Sequence, residues 1–437
     1  MFIFDWLYRQ VDYINGETDE EVEIFVDKTY FYYMRVIGFY PYLSSKPRIW
    51  FSIFHIFTFV TVLIINFWFL LMNSIYFFDL SLVLFSQEVH FLLLTCVASC
   101  ILIVNTTHRR DFSRMHRFMM NEYYDYNEGH STKMDELKEE DRKEKFNLLL
   151  VPLFASLNGA VVLFASRFID TYYGTFDAKE YDINFLLPFP CRNLEVIDTS
   201  QGLGFYLILF SQLLCITIML PLVITGGGLI LVFVLLDFIR QLKFLLHKIE
   251  SSEERALRLY AEKFGGARPR GEGDGIYGDE EFLRCYEVCV NKCIDHHAVL
   301  LSVFENIDDF MHFNFFQCFL LGSVIIALSA NCINTDSVLP GTVLANASLC
   351  LNEIGYMYLL SIFGQRISDL SDDIRYYFYN LKWYNCPRGM RLALLVIQEQ
   401  ASRTLAIMGA KILPVNLDTF SRVMNSAYSY YNILNAV

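Results

Sequence analysis

This sequence is short of charge. Asp, Glu, Lys and Arg make up 19% of its 437 residues, against about a quarter in soluble domains. The balance is acidic, at −13, and a chain with no basic surplus is not an electrostatic binder of nucleic acid. No secretory leader is expected either. "MFIFDWLYRQ" has no basic start and only four apolar residues before Asp5, too few for a signal core. The 11 cysteines show no paired framework, and Cys96, Cys100, Cys215, Cys318, Cys332 and Cys350 fall inside apolar blocks as small core residues do. HExxH, GxSxG, Walker A and CxxC motifs are absent, so the reading is not an enzyme, with no cofactor and no metal. The adjacent His296 and His297 face different sides of a helix, a poor start for a shared ion. "TGGGL" at Thr225–Leu229 lies deep in an apolar block with no strand before it. That placement points to close helix packing or a break rather than to phosphate binding.

What the chain has instead is apolar length. Hydrophobic residues make up 54%, 40 of them Phe, and the mean hydropathy is +0.34. They come in blocks long enough to cross about 30 Å of hydrocarbon as helix. Seven are readable: about Ile49–Met72, Ser86–Val104, Phe146–Phe168, Leu203–Leu236, Phe310–Ile333, Val343–Phe363 and Leu417–Val437. The expectation is an all-α polytopic membrane protein of seven transmembrane helices. The aromatic stretch "FVDKTYFYYMRVIGFYPY" ahead of them is short and amphipathic, which suits a re-entrant or interfacial helix.

Lys and Arg sort the connections into two sets. Five precede the first segment, nine lie in 105–145, ten in 237–297 and eight in 364–422. The alternate connections carry none, two (Lys179 and Arg192) and none. Basic loops stay inside, so the N-terminus is expected in the cytosol and the C-terminus outside. A seven-helix receptor coupled to G proteins has the opposite orientation. The basic connections also carry helical patterns, as in "DFIRQLKFLLHKIE" and "SDLSDDIRYYFYNLKWY". Segments four, five and six are therefore expected to project beyond the bilayer and pack on one another. The Gly-rich "GGARPRGEGDGIYGDEE" is expected to be disordered. Glu305, Asp308 and Asp309 fall where segment five leaves the bilayer, with solvated or interhelical pairing as the default reading and a cation-attracting vestibule as the other.

Polar groups inside membrane helices are costly and mark function or internal pairing. Glu88, His90, Arg167 and Glu353 are such groups, and Glu88 with Arg167 is one available pair. In segment three, Ser156, Gly159 and Leu163 share a face. That face suits either a helix crossing or one wall of a pocket for a small apolar ligand. In the closing stretch, Arg422, Asn425, Ser429, Asn432 and then Ile433 or Ala436 form one stripe, with Val423, Ala427, Tyr430, Leu434 and Val437 opposite. A polar stripe in lipid needs water or another polar stripe. Several copies around an axis would supply both, with Ile433 as a hydrophobic constriction beside Asn432. The competing reading is one helix packed in the core of a monomer.

The C-terminal residues resemble a known family. Gly364–Gln365, a spaced Ser371, Trp383–Tyr384, a basic amphipathic helix, Gly409 and Lys411, Thr419–Phe420 and the run Ser426–Leu434 follow the order of the insect odorant receptor signature. "LPFP" at Leu187–Pro190 is similar to the family as well. The resemblance implies a tetrameric, ligand-gated, non-selective cation channel in the plasma membrane of sensory neurons. It implies a cytosolic N-terminus with the interfacial helix (1–48), helices one to six with the pocket (49–363), a cytosolic anchor (364–415) and a pore-lining helix (416–437). It places the gate at Ile433 with Asn432 before it, and Ser429 and Asn425 along the pore. It places the pocket in the outer half, at Ser156, Gly159 and Leu163 with Val89, Leu209, Ser348 and Asn352. Trp383, Tyr384, Gly409, Lys411 and Phe420 would belong to the oligomer anchor. The implied partners are the odorant co-receptor subunit or further copies of the same chain, a small volatile ligand and the bilayer. The long second cytosolic loop of the co-receptor is absent, which suits a ligand-tuned subunit. Gustatory receptors share the fold, but "AYSYYNILNA" lacks their closing Gln-Phe.

Overall fold

The computed structural model describes residues 46–107, 124–126, 132–173, 183–184, 187–189, 191–192, 202–216, 227–271, 273–334 and 340–435. The expected N-terminal interfacial helix lies outside these residues. Ten helices are described: α1 Lys46–Phe78, α2 Leu82–Thr107, α3 Thr132–Tyr173, α4 Gly202–Leu214, α5 Gly227–Glu250, α6 Ser252–Lys263, α7 Glu280–Asn334, α8 Pro340–Asn380, α9 Arg388–Gln400 and α10 Leu417–Asn435. The all-α expectation holds, with two small additions. Strands β1 (Ile183–Asn184) and β2 (Cys191–Arg192) pair antiparallel, as do β3 (Met408–Gly409) and β4 (Leu413–Pro414). The fourth apolar block, read as one segment, is described as two helices, α4 and α5, with 217–226 between them outside the described residues.

The bundle carries polar groups inside and apolar groups outside. Asn66, Asn73, Ser86, Gln87, Glu88, His90 and Thr95 on α1 and α2 are buried, while Phe54, Phe57, Ile64, Trp68, Phe154, Leu157 and Phe210 are exposed. Water would reverse this arrangement, and hydrocarbon favours it, because polar groups out of reach of water must satisfy one another. They do so between helices. The Asn66 amide donates to Ser211 Oγ at 2.9 Å, joining α1 to α4. His90 Nδ1 and Ser329 Oγ share a 2.7 Å hydrogen bond between α2 and α7. By length and composition, Ile53–Phe78, Leu82–Val104 and Glu280–Ile333 are each sufficient to cross a membrane among the described residues.

At the Lys/Arg-rich end α5, α7 and α8 run on past the apolar blocks and pack together, as their apolar spacing predicts. A ring of four charges ties α3 to α5 there. Lys145 lies 2.5 Å from Asp237 and 2.9 Å from Asp141, and Arg240 lies 2.5 Å from Asp141 and 2.9 Å from Asp237. His296 and His297 are core residues. The first shares a 2.8 Å hydrogen bond with Tyr126, whose ring lies under Lys248 and Arg255. His297 meets Phe378 edge-on.

The Gly-rich insert is not disordered, contrary to the expectation. Gly273–Gly278 forms a 3₁₀ turn that buries Ile276 and Tyr277. Asp279 gathers the backbone N–H groups of Arg270, Glu281 and Phe282 and the Tyr260 hydroxyl. One carboxylate thus supplies the local order that glycine content alone does not reveal. Of the glycines of "TGGGL", Gly228 acts as the packing reading requires. A Cβ on Gly228 would lie 2.0 Å from the Tyr356 hydroxyl, so only glycine lets α5 approach α8 there.

Candidate functional site

Helix α10 begins with a cap. Asn416 Oδ1 accepts the Thr419 N–H at 2.8 Å, and Asp418 pairs with Arg422 one turn on at 2.7 Å. Phe420, Val423, Met424 and Ala427 then pack onto α7 and α8, with Ala427 2% exposed. The other side is open. Asn425, Ser429, Asn432 and Ile433 all face away from the chain, Ile433 being 62% exposed. Among the described residues the stripe is therefore not packed in the core of its own chain. Ser429 Oγ bonds back to the Asn425 carbonyl at 3.0 Å, which satisfies its proton within the helix.

Ahead of α10 a hairpin fastens the helix to α7. Met408 N–H donates to Asp308 Oδ1 at 2.8 Å, Ala410 N–H donates to the His312 carbonyl at 2.9 Å, and Lys411 pairs with Asp309. The Asp309 carboxylate, accepting that hydrogen bond, holds the Lys411 ammonium above the usual lysine value. Ala410 and Lys411 turn in the left-handed region, at φ 50° and 58°. Asp308 and Asp309 thus pair with the hairpin rather than with a second helix. Across the hairpin, Gly364 on α8 sits so close that a Cβ there would lie 2.0 Å from the Val415 carbonyl. Leu405 N–H donates to Ser371 Oγ at 3.0 Å. The signature positions Gly364, Ser371, Gly409, Lys411 and Phe420 therefore meet around one joint, with Phe420 against Tyr358. Trp383 and Tyr384 do not join them. Both remain exposed, as do Leu392, Leu395 and Val396 of α9.

The expected pocket residues are less gathered. Leu163 is buried, and Val89, Gly159 and Ser348 are half-buried. Leu209 packs beside Leu187 and Ile208. Asn352 is exposed, and the Ser156 side chain lies outside the described residues. Ser348 is brought onto α3 by Asn158, whose amide donates to its hydroxyl at 2.8 Å. Asn158 lies between Ser156 and Gly159 in the sequence, and no periodicity marks it. Glu88 is buried beside the Asn73 amide, with the Arg167 guanidinium within electrostatic reach.

The family described as 7tm odorant receptor matches residues 81–428, most of the chain. The chain belongs to that family. The odorant receptor's curated relatives include the odorant receptor coreceptor of Ooceraea biroi, 27% identical over 19% of this chain and 18% of that protein. The coreceptor of Drosophila melanogaster is 26% identical over 25% and 22%. Odorant receptor 49a of the same fly is 29% identical over 18% and 19%. The receptor thus aligns with less than a quarter of the length of each. In fold it matches the olfactory receptor OR5 of Machilis hrabei in complex with eugenol, at a TM-score of 0.71 and 13% identity. That match covers 96% of this chain and all of that one.

Proposed function

We propose that this odorant receptor is a subunit of a ligand-gated, non-selective cation channel in the plasma membrane of sensory neurons. The observation that carries the proposal is the two-faced α10. Its apolar side packs on α7 and α8 through Val423, Met424 and Ala427, and its Asn425–Ser429–Asn432–Ile433 side has no packing partner among the described residues. Four copies around an axis would line a path with these residues. Ile433 would then form the constriction and Asn432 the adjoining polar ring.

In this reading the N-terminus (1–48) is cytosolic and the C-terminus is outside. Residues 49–363 carry helices one to six, 364–415 form a cytosolic anchor and 416–437 form the pore helix. The exposed Trp383 and Tyr384, with the α9 leucines beside them, meet neighbouring subunits, while the hairpin at Gly409 and Lys411 passes motion to the pore. The neighbours are the odorant co-receptor or further copies of this chain. The ligand is a small, mostly apolar volatile held in the outer half of the bundle near Ser156, Gly159, Leu163, Val89, Leu209, Ser348 and Asn352. Asn158 and Ser348 offer one polar contact.

The test is whole-cell current in a heterologous cell with G-protein signalling blocked, under a broad volatile panel. The chain is expressed alone and then with the co-receptor. Ligand-evoked current in either case is the expected result. None in both, with the protein shown at the surface, would refute the channel reading.

A further inference from the structure

Helix α10 carries two charged side chains over its whole length, Asp418 and Arg422. Both stand on its open side. The rotation of the helix is set at its root, where Thr419 and, two turns on, Ala427 are each 2% exposed and Phe420 meets Tyr358. With those residues turned inward, Asp418, Arg422, Asn425 and Ser429, spaced four, three and four, fall together on the opposite face. Arg422 Nη2 lies 2.7 Å from Asp418 Oδ2, and among the described residues that carboxylate is its ion-pair partner. The two side chains are 76% and 66% exposed. Stability does not account for such a pair, because exposed ion pairs contribute little. What the pair does is set the charge of the open face, which Arg422 alone would leave positive at the root of the helix. On the adjoining hairpin, Lys411 is neutralised in the same way by Asp309.

In a path lined by α10, this pair lies at the end opposite Ile433. Arg422 and Ile433 are separated by about 16 Å of helix at 1.5 Å per residue. The hairpin end of α10 belongs to the Lys/Arg-rich, cytosolic side, so a cation leaving the cytosol meets Arg422 first. Rings of charged side chains set which ions a pore admits. We propose that Asp418 and Arg422 form a charge filter at the inner mouth, in which Asp418 cancels an arginine that would otherwise repel the permeant cations. The inference rests on the pore and orientation reading above. The site takes passing monovalent cations and holds none. At about 5 Å from a unit charge, in water at about 0.15 M salt, the local concentration of a monovalent ion changes about two- to fourfold. Each uncompensated copy applies that factor to cations leaving the cytosol, whereas cations entering from the outer end meet it last.

The test reads rectification, which does not depend on how many channels reach the surface. The carrier is K⁺, at about 0.15 M KCl on both sides of inside-out patches. Current is taken in the Ile433→Ala background, so that no odorant is needed. The chain is expressed alone and with the co-receptor, and the co-receptor by itself is the blank. The quantity measured is the ratio of instantaneous outward to inward current at equal and opposite voltages. Asp418→Asn leaves Arg422 uncompensated and is expected to lower the ratio about twofold or more. Arg422→Gln leaves Asp418 uncompensated and is expected to raise it by a similar factor. The two changes together should return the ratio to that of the background. Both single effects should shrink in about 1 M KCl, where the screening length falls to about 3 Å. A current whose ratio neither single variant moves overturns the filter and leaves the pore standing. Single variants that shift the ratio in the same direction, as a packing defect would, also overturn it. No current above the blank from any variant overturns the pore reading, and the filter with it.

Discussion

Replacing Asp237 by Asn should be among the most damaging single-atom changes available in this chain. Asp237 is fully buried and touches two cations, Lys145 at 2.5 Å and Arg240 at 2.9 Å. Asp141 completes the ring with the same two partners, so two positive and two negative charges balance. At an effective dielectric near 20, each contact of about 2.7 Å is worth roughly 6 kcal/mol before desolvation is counted. Desolvation takes back several kcal/mol per ion, so the intact ring is close to neutral in net energy. Removing one charge is different. Asp237→Asn keeps the shape and leaves an uncompensated cation buried, a loss of about 3–5 kcal/mol. The double variant Asp237→Asn with Lys145→Met restores neutrality and leaves Asp141 with Arg240. It should return to within about 1.5 kcal/mol of the parent, so the second change recovers about 1.5–3.5 kcal/mol of what the first one costs. The assay is the midpoint of thermal unfolding in detergent, followed by fluorescence-detected size exclusion. At about 2 °C per kcal/mol for a large chain, the single variant falls by roughly 6–10 °C and the double by no more than about 3 °C. A single variant within about 2 °C of the parent, or a double that falls by the sum of its singles, would refute the argument.

Three further outcomes follow from other sites. Gly364→Ala places a methyl group 2.0 Å from the Val415 carbonyl and should cost about 1–3 kcal/mol of stability. Evoked current per surface channel should also fall, as read by current and surface biotinylation together. Ile433→Ala should raise basal current severalfold by removing an apolar constriction, whereas Ala427→Ser on the buried face should lower surface expression without a leak. The Asp279 carboxyl is held below its usual range, first by the Arg270 N–H and then by the donors of Phe282, Tyr260 and Glu281. Its contribution is complete above the unfolded Asp value of about 3.9 and is lost as pH falls through the lower folded value. Protease resistance of the insert should thus be flat from about pH 8 to 5 and fail only below about 4, and Asp279→Asn should weaken it at every pH.

What could be read from the sequence followed period and length. Long apolar blocks predict helices, and the spacing of Asn425, Ser429 and Asn432 puts them on one face without any knowledge of packing. Structured extensions at the Lys/Arg-rich end could be read from apolar residues every three to four positions in "DFIRQLKFLLHKIE". The misses have a common cause, which is that they depend on partners distant in sequence. Asp279 orders a glycine-rich stretch through donors up to nineteen residues away, at Tyr260. The charge ring joins residues ninety-two apart, and no window along the chain contains both members. The pocket positions are the least determined by such reading. Val89, Leu209 and Asn352 came from a resemblance that fixes depth but not rotation about the helix axis. A rotation of about 100° per residue separates a lining residue from an exposed one.

Helix α7 runs without a break from Glu280 to Asn334, 55 residues, or about 80 Å at 1.5 Å per residue. It holds hands with α2 through Ser329 and His90 near one end, and with the hairpin through Asp308, Asp309 and His312 nearer its middle. A rod of that length cannot shorten, so a tilt imposed at Ser329 has to reappear as a sideways displacement at the hairpin. The root of α10 is fixed to that hairpin. Whatever nudges the His90 end is thereby geared to the helix that bears Ile433, with α7 as the crankshaft.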